Sequence, residues 1–164
     1  MTTPLETARR YLGAKEVTGP ADNPKIMEMY KTIGQDWVEH DEMAWCAAFV
    51  GHCLETSGVS STRKLNARSY LAWGEKVPTL EQAKEGDAVV LSRGSSGWQG
   101  HVAFFLRAVG QQVEVLGGNQ GNGVSVTRYP KSKVLGIRRA IGFRSPPRPE
   151  LRVVQQQLKD LGYC

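Results

Sequence analysis

The spacing of apolar residues changes character once along this 164-residue chain, and that change limits the fold it can reach. Up to Gly74 apolar residues recur at helical intervals: Leu5, Ala8, Tyr11 and Leu12, then Ile26, Met27, Tyr30 and Ile33. From Ala88 onward they come as short β-rich runs: Ala88 to Leu91, Val102 to Leu106, Val113 to Leu116, Val124 to Tyr129 and Val134 to Arg139. Gly, Ser, Gln-Gln and Lys-Ser turns separate these runs. Helices first and antiparallel strands second predict an α+β domain.

Punctuation residues sharpen the helices. Thr3-Pro4-Leu5-Glu6 reads as a capping box with proline at the first helical position, opening a helix to about Gly13. Asn23-Pro24 opens a second, stopped by Gly34. A third is expected from about Ala44 to a C-terminal cap at Gly58, and a short one, capped by Asn66, from Ala67 to Trp73. The residues 144–150, with prolines at 146, 147 and 149, cannot continue a strand and predict a linker. The domain therefore spans 1–143. Beyond the linker, Leu151, Val154, Leu158 and Leu161 predict one more helix within 151–164.

Composition excludes several classes. With 40% hydrophobic and 23% charged residues the chain is neither disordered nor fibrous. No apolar run approaches the roughly 20 residues of a membrane span, so no membrane insertion is expected. The N-terminus shows no basic stretch followed by an apolar core, so synthesis in a cytoplasm without a classical export signal is expected. The net charge of +5 favours anionic partners, but the basic residues are scattered and lack interleaved aromatics, which argues against nucleic acid. A monomer is expected. Three cysteines, Cys46, Cys53 and Cys164, form neither a disulfide framework nor a zinc pattern, and no cofactor or metal is expected.

Three residues carry candidate chemistry. Cys46, in Trp45-Cys46-Ala47-Ala48-Phe49-Val50, stands where an apolar helix begins. There, unpaired N–H groups and the helix dipole favour a thiolate. Its bland alternative is a small buried core residue, the reading that suits Cys53. His101 heads an apolar strand after Gly100, where an imidazole can act as general base. His40 and His52 read as structural. Asn119 ends the next strand; if the two strands pair through the turn at Gly110-Gln111-Gln112, it returns toward His101. Nucleophile, base and orienting group are what a thiol hydrolase needs. Otherwise Asn119 is a turn residue before Gly121.

Asn23-Pro24, Asp41-Glu42, Trp45-Cys46-Ala47-Ala48-Phe49, Ala67-Arg68-Ser69, Gly86-Asp87, Gly100-His101-Val102 and Gly117-Gly118-Asn119-Gln120 together resemble the papain-like peptidoglycan hydrolases of the CHAP and NlpC type, in particular a branch common in bacteriophages. The resemblance covers about residues 4 to 142. It implies a papain-like fold with N-terminal helices packed on an antiparallel sheet. It also implies catalytic Cys46, His101 and Asn119 cutting an amide bond in peptidoglycan, as an endolysin acting on the cell wall. Two positions depart from the family pattern: Gly117 stands where several members carry an acidic residue, and Trp45 where many carry aspartate. Some members bind calcium, for which Asp36, Glu39, Asp41 and Glu42 offer oxygen ligands; a solvated acidic loop is the expectation here. The tail resembles the first helix of a peptidoglycan-binding module. A secreted toxin with the same chemistry and a non-catalytic wall-binding module are the competing readings.

Overall fold

The computed structural model describes residues 3–16, 23–35, 37, 45–94, 97 and 99–141. The linker at 144–150, the helix expected within 151–164, Cys164, His40 and the acidic residues Asp36, Glu39, Asp41 and Glu42 lie outside the described residues.

Three helices come first: α1 (Pro4–Arg10), α2 (Pro24–Thr32) and α3 (Cys46–Thr56). The capping box of α1 forms as expected: the Thr3 hydroxyl accepts from the Glu6 N–H at 3.1 Å, and the Glu6 carboxylate accepts from the Thr3 N–H at 2.8 Å. The helix stops before Gly13 because the following residues leave it to pair with a strand. Gly13 N–H donates to Val124, Val124 N–H to Ala14, and Glu16 N–H to Asn122. Asn23 caps α2 by accepting from the Lys25 N–H at 2.8 Å. The expected Asn66 cap does not form. Residues Ala67–Ala72 make a 3-10 helix with no side-chain cap, held by Ser69, whose hydroxyl donates to the Asn66 carbonyl at 2.8 Å.

Six strands follow: β1 (Glu75–Lys76), β2 (Ala88–Ser92), β3 (Gly100–Val109), β4 (Gln112–Gln120), β5 (Gly123–Pro130) and β6 (Val134–Arg139). They form one antiparallel sheet in the order β1-β6-β2-β3-β4-β5. The two-residue β1 is too short to leave a sequence signature. Period-2 alternation splits the strand residues between two cores. Val90, Val102, Phe104 and Leu116 pack with all three helices. Val89, Leu91, Ala103, Phe105, Val113, Val115 and Ile137 form a second core on the other face. His52 is structural, as expected. Thr32 Oγ1 donates to the Glu28 carbonyl and so accepts from His52 Nδ1–H at 2.8 Å, which leaves His52 Nε2 to accept from Tyr11 at 2.8 Å. One imidazole thus ties α3 to α2 and to the end of α1.

Asp87 closes the far side of the sheet. Its carboxylate takes two bonds from the Arg139 guanidinium, at 2.9 and 2.8 Å, and a third from the Lys84 N–H at 2.8 Å. The aspartate side chain is only 5% exposed, so removing its partner or itself strands polar groups. Asp87→Ala is expected to lower unfolding stability by about 2 to 3 kcal/mol, less than for a fully buried pair because Arg139 reaches solvent. Urea titration of both proteins checks this; a loss below about 0.5 kcal/mol contradicts it.

Candidate active site

Cys46 is the first residue of α3, and it is fully buried. Trp45, at the N-cap, supplies no side-chain cap to that helix. It serves instead as an anchor, with its indole N–H donating to the Glu16 carboxylate at 2.7 Å. Glu16 belongs to the segment paired with β5, so the Trp45 bond ties the start of α3 to the sheet. The same turn rests on β4 at Gly118. A Cβ added there would lie 2.7 Å from both the Phe49 Cβ and the Trp45 ring. Glycine at 118 is what lets the cysteine-bearing turn dock against the strand. Cys53 lies deep in the core, where burial pushes its thiol well above the ordinary range, in keeping with the structural role expected of it.

His101 stands on β3 opposite Leu91 of β2, buried to 7% exposure. Arg68 holds the approach to it: its Nε donates to the Gln99 carbonyl at 2.8 Å, and its side chain lies against Gly100. His101 follows the parity of Ala103 and Phe105, so its ring lies on the face of the second core. Its partner there is Gln120. Nε2 of His101 and Oε1 of Gln120 are 2.8 Å apart. No side-chain hydrogen bond joins Asn119 to His101 among the described residues.

The hydrogen-bond partner of His101 is therefore Gln120, one position beyond the expected Asn119, for a backbone reason. Phe104 pairs with Leu116 and Phe105 with Val115; continuing that register sets Asn119 opposite His101. On the other side of β4, however, Gly117 pairs with Ser125 while Gln120 pairs with Gly123. Three steps along β4 span two along β5, which is a β-bulge. Asn119 absorbs the extra residue at φ 60°, in the left-handed region that asparagine tolerates. Gln120 then returns to the His101 face. Gly117 makes room for it: a Cβ there would lie 2.9 Å from Gln120 Oε1 and 2.8 Å from the Ala103 Cβ. The position that carries an acidic residue in some family members is here the floor beneath the glutamine. The hairpin beyond, with Gly121 and Asn122 at φ 62° and 63°, brings β5 alongside.

Donor and acceptor roles fix the tautomer. Gln120 Nε2 lies 2.7 Å from the Ser125 carbonyl, which can only accept, so the amide nitrogen is on that side and the oxygen faces His101. His101 Nε2 must then carry the proton, and Nδ1 keeps its lone pair. Tyr129 completes the cluster, with its ring centroid 5.5 Å from that of His101. Burial raises the Tyr129 phenol, and the nearby Cys46 raises it further, which puts the thiol within electrostatic reach of the same group. His101, Gln120 and Tyr129 thus cluster on one face of β3, β4 and β5, and Cys46 at the start of α3 acts electrostatically on Tyr129. A cleft of about 930 Å³ elsewhere, lined in part by Glu6, Arg9, Trp73 and Arg139, touches none of them. Among the described residues no cluster of His, Cys, Asp or Glu has the makings of a metal site.

Burial pulls the His101 pKa down to about 4; the Gln120 hydrogen bond opposes the shift and the charge of Arg93 adds to it. His101 is neutral at neutral pH. The sign for stability follows from linkage. The unfolded chain takes up a proton near pH 6.5 that the folded chain refuses until about pH 4. The stability is present above pH 6.5 and is lost as pH falls through this window. His101→Gln is expected to remove about 3 kcal/mol of the loss between pH 7 and pH 4. A remainder belongs to His52, which burial lowers in the same direction. Urea titrations at both pH values check this; equal acid losses in the two proteins contradict it.

The model of the CHAP domain family matches residues 38–119, half of the chain. The chain belongs to the CHAP family. The matched stretch of this CHAP domain holds Cys46, His101 and Asn119 and ends one residue before Gln120. A solved structure described as similar to a lipoprotein of the NLP/P60 family, from Staphylococcus aureus subsp. aureus Mu50, superposes with a TM-score of 0.54 at 20% identity. The match covers 85% of this chain and 40% of that one, so the CHAP chain spans less than half of its neighbour's length. It shares the fold, an N-terminal helical layer on an antiparallel sheet of papain-like type. No curated protein sequence matches the chain.

Proposed function

We propose that this CHAP domain is a thiol hydrolase that cuts an amide bond in the peptide part of peptidoglycan, acting on the cell wall as an endolysin does. Membership of the CHAP family supports a peptidoglycan-related hydrolase. The observation that carries the catalytic reading is the His101–Gln120 hydrogen bond, because its polarity leaves Nδ1 as the basic nitrogen. In the proposed reaction His101 Nδ1 takes the Cys46 thiol proton as sulfur attacks the scissile carbonyl. The oxyanion is held by backbone N–H groups in the first turn of α3, favoured by the helix dipole. Collapse breaks the C–N bond, and the leaving amine takes the proton from His101. Water, deprotonated by His101, then hydrolyses the thioester and releases a carboxylate and the free thiol. The net charge of +5 suits an anionic wall polymer.

Incubation with purified peptidoglycan tests the class of bond. New free amines without new reducing sugar ends are expected, and mass spectrometry of the fragments then identifies the bond. Reducing ends without amines contradict the proposal by making the protein a glycosidase. Co-sedimentation with the wall and no release contradicts it in favour of a binding module.

A further inference from the structure

Gln120 is held from four directions, and the polarity of every contact is the same. Into Oε1 point two donors, His101 Nε2–H at 2.8 Å and the Tyr129 hydroxyl at 3.3 Å. From Nε2 the two N–H groups go only to acceptors on β5: the Ser125 carbonyl at 2.7 Å, Thr127 Oγ1 at 3.1 Å and Ser125 Oγ at 3.3 Å. The Ser125 and Thr127 hydroxyls are 3.0 Å apart and support each other. All three β5 residues have the same parity as the His101 face, two apart along the strand. A flipped amide would set its oxygen against the Ser125 carbonyl and its nitrogen against the His101 N–H, losing the bonds on both sides. A carboxylate has no proton to give the Ser125 carbonyl.

We propose that Ser125, Thr127 and Tyr129 form a cradle on β5 that holds the Gln120 amide in one orientation against His101, so that position 120 requires an amide and not merely an acceptor. They are positioning residues. None of them needs to touch substrate, and their effect reaches the reaction through the aim of the imidazole. The catalytic consequence rests on the thiol-hydrolase reading above; the hydrogen bond itself does not.

Two readouts test this. The first is the His101 ring N–H in 15N-labelled protein, identified by its loss in His101→Gln. His52, whose ring proton sits on Nδ1, serves as the internal reference. In the wild-type protein the His101 Nε2–H should be protected from exchange with water. Thr127→Val, which keeps the shape but removes the shorter hydroxyl acceptor, leaves the second N–H only the longer contact to Ser125 Oγ at 3.3 Å and should lower protection about tenfold. Gln120→Glu should lose it altogether. The second readout is steady-state kinetics on peptidoglycan fragments. Thr127→Val should lower kcat about tenfold with KM unchanged, and Gln120→Glu should be as impaired as Gln120→Ala. Undiminished protection in Thr127→Val overturns the proposal, and so does a Gln120→Glu enzyme with wild-type kcat. The exchange measurement needs no substrate. An error in the assigned reaction would therefore show as full activity of Cys46→Ala with the protection pattern intact, which separates the two failures.

Discussion

Replacing Cys46 with alanine is expected to slow amine release from peptidoglycan by at least about a thousandfold while the chain stays folded. Cys46→Ser should do nearly as badly, since a hydroxyl is far less easily ionised by a neutral imidazole than a thiol. The effect is large because every covalent step of the proposed reaction passes through Sγ. It is separable from stability because the truncation is small; circular dichroism should be unchanged, with a loss of about 1 kcal/mol or a little more. Cys53 is the control on the same helix. It is equally buried, but lies among core side chains with its thiol pushed up and protonated. Cys53→Ala should cost a similar amount of stability and keep the chemistry. Wild-type turnover by Cys46→Ala would end the thiol reading.

The second large effect separates two adjacent residues. Gln120→Ala is expected to lower kcat about a hundredfold or more, as loss of an orienting group does in related triads. Asn119→Gly should stay within about threefold of wild type, because glycine adopts the bulge conformation without strain. Asn119→Ala keeps the site chemistry but pays about 1 kcal/mol of stability for its left-handed backbone. His101→Ala should be near inactive. The comparison is of kcat on purified substrate, with folding checked in each variant. A dead Asn119→Gly beside an active Gln120→Ala would return the orienting role to Asn119.

The difference between these two residues marks where the sequence ceases to be readable. Helices and strands left strong local signals. The capping box at Thr3 and Glu6, the Asn23-Pro24 start and the change from helical spacing to β runs sufficed for an α+β domain. They also put Cys46 at a helix start and His101 on a strand. The pairing of β3 with β4 was legible too, since the Gly110 turn fixes which residues return. What stayed hidden depends on contacts between distant residues. The bulge needs β5 as the third strand to define it, and it moves one side chain to the opposite face. Asn119-Gln120-Gly121-Asn122 did hold a local hint, because asparagine is among the few residues at ease with positive φ. The Glu16–Trp45 anchor and the Asp87–Arg139 pair likewise join positions 29 and 52 residues apart, beyond the reach of any periodicity. Gly117 and Gly118 are each small because a side chain lies on the one and the start of a helix on the other, contacts no local pattern announces.

The most direct measurement is alkylation of the native protein with iodoacetamide, following peptidoglycan hydrolysis and the mass of each cysteine-containing peptide in the same samples. Thiol catalysis at Cys46 predicts that residual activity falls in direct proportion to the fraction of Cys46 modified and is indifferent to the fraction of Cys53 modified. Full activity in a sample whose Cys46 is completely alkylated would contradict it.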